Sequence, residues 1–101
     1  MKKLFLLFVL ALLPLLASAD AVEIDGIYYD FNTETKEAKV TINPNYYSGE
    51  VTIPDKVTYE SVEYNVTSIG GTAFYRSIGL TSVTIPNSVI SIGNNAFRNC
   101  I

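Results

Sequence analysis

The second half of the chain repeats one nine-residue segment, and this repeat is the feature that most restricts the fold. Residues 66–74 (VTSIGGTAF) and 89–97 (VISIGNNAF) are identical at six of nine positions, at an offset of 23 residues. A period of about 20–29 residues is typical of solenoids, in which each unit adds a strand to a growing stack. One coil cannot bury its own apolar face, so we expect each coil to pack on its neighbour.

A second match lies upstream and has a different spacing. Residues 51–54 and 83–86 are both VTIP, at an offset of 32. The difference of nine indicates an insertion in the first copy, between Pro54 and Val66. The inserted residues alternate as two short strands, 57–59 and 62–64, which predicts a hairpin with Glu60-Ser61 as a poor two-residue turn.

The second copy has the pattern of one coil. Thr84 is predicted to point outward, Pro86 to end the strand because it cannot donate a ladder hydrogen bond, and Gly93 to let the chain turn a corner. The residues predicted to point inward are Leu80, Val83, Ile85, Val89, Ile92, Ala96, Phe97 and Cys100.

The residues before the repeats also favour strands. Residues 20–101 are rich in Val, Ile, Thr, Tyr and Phe, which suit a pleated, half-buried surface, and no stretch keeps a helical period. We predict strands at 27–31 and 38–42 joined by a polar turn at 32–36, with Ala38, Val40 and Ile42 on one face. The fold class is therefore mainly β, with an N-terminal β-hairpin region followed by solenoid coils.

The first 19 residues have the three parts of a secretory signal peptide. Two lysines precede an unbroken run of ten apolar residues, and small residues come before a predicted cleavage between Ala19 and Asp20. A membrane anchor is the alternative, but it needs about 20 apolar residues, and the stretch here is shorter and contains Pro14. We therefore expect a secreted or cell-surface protein with no transmembrane segment in the mature chain.

Charge and residue content exclude several functions. Residues 20–101 hold all ten acidic residues but only five of the seven basic ones, so we expect no nucleic-acid partner. The chain has no histidine and a single cysteine. It therefore lacks the usual ligands of zinc and copper, and no metal or other cofactor is predicted. A single cysteine also cannot form a disulfide framework within one chain.

The remaining candidates for chemistry have simpler structural explanations. Cys100 as a nucleophile would need a neighbouring base or cation, and a buried core position is favoured instead. Glycoside hydrolysis would need two facing carboxylates, and a calcium loop would need further ligands. Neither pattern is met by the acidic residues weighed for these roles, which are Glu23, Asp25, Glu60 and Glu63.

Two adjacent tyrosine pairs are of more interest. Tyr28-Tyr29 and Tyr46-Tyr47 should each leave one ring outside, because neighbours on a strand point to opposite faces. Exposed tyrosines are enriched in protein-binding surfaces. The alternative is that a small β domain uses Tyr where a larger one would use Phe or Leu.

The last unit resembles one repeat of the BspA-type leucine-rich repeats. Its residues match the pattern Leu-x-x-Val-x-Ile-Pro-x-x-Val-x-x-Ile-Gly-x-x-Ala-Phe-x-x-Cys, beginning at Leu80 and reaching Cys100. The earlier copy departs from it, since Ser77 stands where the pattern has cysteine. The resemblance implies an exported or surface protein linked with adhesion and host-protein binding, without catalytic activity, and its matching residues are scaffold positions.

These observations divide the chain into four parts: a signal peptide (1–19), an N-terminal hairpin or capping region (20–50), an irregular first repeat with an inserted hairpin (51–79), and an apparently truncated second repeat (80–101). The leading hypothesis is an adhesion-type module that binds an extracellular protein or a host or bacterial surface ligand. The predicted contact residues are Glu50, Thr52, Ser82, Thr84, Tyr46 and Tyr47. The alternative is a purely structural N-terminal cap fragment of a longer repeat protein, and a small hydrolase is a distant third.

Overall fold

The computed structural model describes residues 21–100, and these residues form strands and turns without a helix. The predicted signal peptide and its cleavage site at Ala19 and Asp20 lie outside the described residues. The strands in chain order are β1 (Val22–Ile24), β2 (Ile27–Asn32), β3 (Glu37–Thr41), β4 (Gly49–Thr52), β5 (Lys56–Tyr59), β6 (Val62–Ile69), β7 (Leu80–Thr84) and β8 (Ser91–Ile92). The predicted mainly β fold is thus confirmed.

The N-terminal strands form an antiparallel meander. The β1–β2 hairpin turns at Asp25-Gly26, whose positive φ angles of 52° and 89° suit a tight two-residue turn. The predicted hairpin follows as β2 and β3, whose turn is held by Asn32, because its Oδ1 accepts hydrogen bonds from the Glu34 and Thr35 N–H groups. Strand β1 has no counterpart among the predicted strands.

Strand β3 is also the first strand of a parallel ladder. Its Val40 lies beside Ile69 of β6, and Ile69 lies beside Ile92 of β8. The β5–β6 hairpin adds β5 to the same sheet, with Tyr59 paired to Val62, as the alternating insertion predicted. The Glu60-Ser61 turn adopts positive φ at both residues, which explains why it closes the hairpin despite an unfavourable sequence.

Strands β4 and β7 form a separate two-stranded parallel sheet on another side of the coil. The VTIP segments therefore stack on each other, as their repetition predicted: Val51 pairs with Val83 and Thr52 with Thr84. Together the two ladders make the first coils of a leucine-rich-repeat solenoid.

The core lies between these two sheets and the loops that join them. Phe74 is fully buried, and its ring stacks on Phe97 of the following coil with centroids 5.0 Å apart and planes 9° from parallel. Aromatic stacking of this kind adds to the stabilisation from apolar burial. The largest fully buried side chains are Tyr29, Val40, Ile53, Val66, Ile69, Phe74 and Ser77.

Three predicted core residues are more exposed than expected. Ile42 is 45% exposed because β3 ends at Thr41, so the alternation of strand faces stops before it. Ile85 is 38% and Ile92 50% exposed, whereas their first-coil equivalents, Ile53 and Ile69, are 2% and 1% exposed. Within residues 21–100, no further coil packs on Ile85 and Ile92, and these two positions are left exposed because the burial of a coil depends on its neighbour.

The coils approach closely at two glycines. A Cβ added at Gly93 would lie 2.4 Å from the Gly71 nitrogen and 2.8 Å from its Cα, so a side chain cannot be placed without moving the backbone. The equivalent addition at Gly71 would meet the Asn94 carbonyl oxygen at 3.1 Å, a milder contact.

We predict that Gly93→Ala destabilises the protein by about 3 kcal/mol, because overpacking against a backbone cannot be relieved by a rotamer change. Gly71→Ala is the matched control, and we expect it to cost about 1 kcal/mol. Urea denaturation of the purified variants measures both changes. Equal costs for the two variants would contradict the close approach assigned to Gly93.

The loop after each Ile-Gly corner uses left-handed backbone at equivalent positions. Thr72 and Asn95 have φ of 63°, and Arg76 and Asn99 have φ of 59° and 61°. Asparagine tolerates this region well, whereas other side chains are strained there, most of all β-branched ones. The first coil therefore carries strain that the second coil avoids.

We predict that Arg76→Asn stabilises the protein by about 0.5 kcal/mol and raises Tm by about 2–4 °C, because asparagine relieves this strain. Arg98→Asn is the control, since Arg98 is exposed and lies beside Arg76 in the next coil but is not among the residues with positive φ. Thermal unfolding followed by circular dichroism measures both. A gain of the same size at Arg98 would show that backbone strain is not the cause.

Candidate binding surface

Strands β4 and β7 bring four of the predicted contact residues together. The parallel register places Glu50 beside Ser82 and Thr52 beside Thr84, and all four residues are exposed. Neighbouring strands lie about 4.7–4.9 Å apart, so these side chains form one continuous patch. We call this patch the outer face, defined as Glu50, Thr52, Ser82 and Thr84.

The composition of the outer face follows from strand alternation. Val51 and Val83, which lie between its members, turn inward and pack against the core. The outward positions are therefore free to carry polar side chains without cost to stability. Because Glu50 is the one charged member, the face is polar and weakly acidic.

Tyr46 lines one depression together with Glu50 and Thr52 of this face. The residue is 50% exposed, and its N–H donates to the Asn43 carbonyl at 2.8 Å in the turn before β4. Asn43 also accepts from the Asn45 N–H through Oδ1 at 2.8 Å. These hydrogen bonds fix the loop that presents Tyr46, whose φ of 65° turns the chain there.

Tyr47 is not part of the surface, so including it among the contact residues was wrong. It is 3% exposed and packs on Phe74 with ring centroids 4.5 Å apart. Its hydroxyl donates to the Thr41 carbonyl at 2.7 Å and accepts from the Tyr28 N–H at 3.0 Å. The ring therefore joins the N-terminal hairpin to the first coil, which is a structural role.

Burial raises the pKa of three tyrosines, Tyr29, Tyr47 and Tyr59. Loss of solvent raises the pKa of Tyr47 to about 12, although the hydrogen bond from the Tyr28 N–H lowers it in part. The pKa of Tyr29 is also raised to about 12, first by burial and then by the negative charge of Asp25. Both side chains stay neutral in the folded protein when an unfolded tyrosine, with a pKa near 10, would ionise.

We predict that the contribution of Tyr29 and Tyr47 to stability is constant up to about pH 10 and is lost between about pH 10 and 12. The raised folded-state pKa of Tyr29 and Tyr47 means that the unfolded state loses its phenolic protons first and is favoured as pH rises. Tyrosinate absorbance and circular dichroism recorded over one alkaline titration measure this. Ionisation of all tyrosines near pH 10 with no loss of structure would contradict it.

A neighbouring apolar residue was missed by the sequence analysis. Ile78 is 73% exposed and lines one shallow depression together with Tyr46 and Ser48, at the start of β4 and β7. The available signal was its place directly after Ser77, the residue that replaces the repeat cysteine. Because Ser77 is buried, a residue next to it can point to solvent.

The cysteine position has a structural role in both coils. The Cys100 thiol is half-buried and donates to the Phe74 carbonyl at 2.8 Å. Ser77, one repeat earlier, is buried, and its Oγ accepts from the Tyr47 N–H at 3.3 Å. Each side chain thus completes backbone hydrogen bonding, as expected of a core position.

The candidate carboxylates do not assemble into a centre. Glu23 accepts a hydrogen bond from the Gly26 N–H and so supports the first hairpin turn. Throughout residues 21–100, no three His, Cys, Asp or Glu side chains cluster as metal ligands would. In the same part of the chain, no helix is long and apolar enough to cross a membrane.

The two stacked parallel ladders define a leucine-rich-repeat protein, and comparison with known proteins identifies its family. The sequence model of the BspA type leucine rich repeat region (6 copies) matches residues 40–101. The chain therefore belongs to the BspA-type leucine-rich repeat family, as the pattern of the last unit predicted. A search of curated proteins found no match.

Three solved structures are similar to this chain. A leucine-rich repeat protein from Bacteroides capillosus ATCC 29799 has a TM-score of 0.68 and 36% identity over 80% of this chain and 59% of its own. A leucine rich cell surface protein from Faecalibacterium prausnitzii A2-165 has a TM-score of 0.66 and 34% identity, over 79% of this chain and 21% of its own. A leucine-rich repeat protein from Bacteroides ovatus ATCC 8483 has a TM-score of 0.67 and 36% identity, over 78% and 21%. The chain thus spans less than two thirds of each.

Proposed function

We propose that the protein is an exported, cell-surface binding module of the adhesion type, without catalytic activity. The observation that carries the proposal is the outer face, where the β4–β7 register gathers four exposed polar residues from two repeats next to Tyr46. Family membership supports it, as does the similarity to a structure described as a cell surface protein. Export rests on the signal-peptide pattern of residues 1–19.

The proposed partner is an extracellular protein or another ligand on a host or bacterial surface. Tyr46 and Ile78 offer exposed apolar area beside the polar outer face, and interfaces combine such an apolar centre with a polar rim. Tyrosine is also among the residues that contribute most to binding energy in protein interfaces. We therefore propose Tyr46 as the anchor and the outer face as the rim.

We predict that Ser82→Arg and Tyr46→Ala each weaken binding about tenfold, because the first places a long charged side chain in the contact and the second removes the anchor. The assay measures retention of the labelled protein on epithelial cells, on immobilised matrix proteins and on whole bacteria. Ser91→Arg is the matched control, since Ser91 is an exposed strand serine of the same coil but belongs to the other sheet.

Equal binding by wild type, Ser82→Arg and Tyr46→Ala would contradict the outer face as the contact surface. Loss of binding by Ser91→Arg alone would place the contact on the β3–β6–β8 sheet instead. Circular dichroism of each variant separates lost contact from lost structure.

A structural role as the N-terminal cap of a longer repeat array is the second candidate. It is favoured by the exposed Ile85 and Ile92, whose first-coil equivalents are buried by the following coil. Under this proposal a separately produced repeat segment would bury these two side chains and raise Tm, whereas the substitutions in the outer face would leave cell binding unchanged.

A further inference from the structure

Among the strands of residues 21–100, β4 has one unpaired edge. The Gly49 N–H donates to Gly79 at 2.9 Å and the Ile53 N–H donates to Thr84 at 3.0 Å, so these alternate residues face β7. Successive strand residues direct their main-chain groups to opposite sides, so Glu50 and Thr52 direct theirs away from β7. In the part of the chain that the structure describes, β4 pairs with β7 only, and these groups have no main-chain partner.

A groove runs along this edge. Two adjoining depressions of about 280 Å³ and about 430 Å³ share Asp25, Ile27 and Thr52 in their lining. The β1–β2 turn lines the groove across from β4, and the buried residues Ile27 and Tyr29 contribute apolar surface to it. We call these two depressions the β4-edge groove. A groove that borders a free strand edge has the form required for the addition of an extended peptide.

The charges in the groove favour one kind of occupant. Asp25 and Glu50 line its smaller depression, and no lysine or arginine among residues 21–100 lines it. Lys56 lines the larger depression, at the other end. A second copy of this chain pairing at the same edge would bring these acidic residues of two chains together, which is unfavourable. A peptide with basic side chains would instead be attracted.

We infer that the β4-edge groove binds an extended segment of a partner protein that carries lysine or arginine, by adding it as a strand to β4. The main-chain groups of Glu50 and Thr52 supply the hydrogen bonds, and the carboxylates of Asp25 and Glu50 select the basic side chains. This inference rests on the proposed binding function and specifies the chemistry of the partner.

The first test uses a fluorescent hexapeptide that alternates lysine and valine, with a glutamate–valine hexapeptide as its matched control. We expect the lysine peptide to bind about tenfold more tightly by fluorescence anisotropy, and its affinity to fall as ionic strength rises. Equal affinity for the two peptides would overturn the charge selection. Dimerisation of the protein through β4 would overturn the peptide as occupant.

The second test removes the strand-addition hydrogen bond. Thr52→Pro deletes an N–H that faces the groove and keeps the hydrogen bonds between β4 and β7. Edge strands tolerate proline at such a position, because its N–H does not take part in the ladder. We expect the lysine peptide to bind about tenfold more weakly to Thr52→Pro than to Thr52→Val, which loses the same hydroxyl but keeps the N–H. A circular dichroism spectrum checks that the proline variant is folded.

A third test leaves the protein unchanged. The lysine peptide is methylated at alternate main-chain nitrogens, in each of the two possible sets. We expect one set to abolish binding and the other to retain it, because only alternate N–H groups of an added strand face β4. Retention of binding by both sets would overturn strand addition even if the proline variant does not fold.

Ser82→Arg separates this inference from the proposed function. Ser82→Arg is used for cell binding only, and peptide binding is measured on the wild-type protein, because an arginine at 82 would lie beside Glu50 and weaken its attraction for lysine. If cell binding depends on Ser82 but the peptide does not bind, only the groove inference fails. If the peptide binds and cell binding is insensitive to Ser82, only the outer face as contact surface fails.

Discussion

Backbone hydrogen bonds between successive coils hold this protein together, and they require the coils to touch at the main chain. The Phe74 N–H donates to Ala96 at 2.7 Å, and the Arg76 N–H donates to Arg98 at 2.9 Å, so the ladder continues beyond the strands into the loops. Such close approach is possible because Gly93 has no side chain where it meets Gly71. The stacking of Phe74 on Phe97 follows from this spacing.

The capping of the two sheets is unequal, and this asymmetry follows from chain order. Strand β3 pairs directly with β6, so the ladder that contains β8 begins with a complete antiparallel meander. The chain then crosses residues 42–48 to reach β4, and none of the described strands pairs with the other side of β4. Stability at the N-terminal end therefore comes from one sheet, while the other retains an open edge.

Much of the scaffold could be predicted because segments that repeat in the sequence lie side by side in a solenoid. The two VTIP segments lie side by side, so the pairing of Thr52 with Thr84 follows from their shared place in the motif. The inserted hairpin was also predictable from its alternation. Strand β1 could not be predicted, since three residues are too few to show a period. In addition, the sequence of its Asp25-Gly26 turn has features of a calcium loop.

The candidate surface was only partly predictable, because backbone conformation decides which way a side chain points. As predicted, one tyrosine of the pair is exposed, Tyr46, and the other is buried, Tyr47. However, the pair lies in the loop before β4, where Tyr46 has a positive φ, and not in a strand. Alternation therefore cannot say which of the two is exposed. The choice follows from Tyr47, whose hydroxyl bonds to Tyr28 and Thr41, so it must lie inside.

The open edge of β4 connects the scaffold with the proposed function. An exposed strand edge invites unspecific pairing, and proteins commonly protect it with charge. Here Glu50 and Asp25 place negative charge along the edge, which disfavours pairing between identical chains. The same charge leaves the edge available to a basic segment of another protein. Protection against self-association and selection of a partner therefore follow from one arrangement of residues.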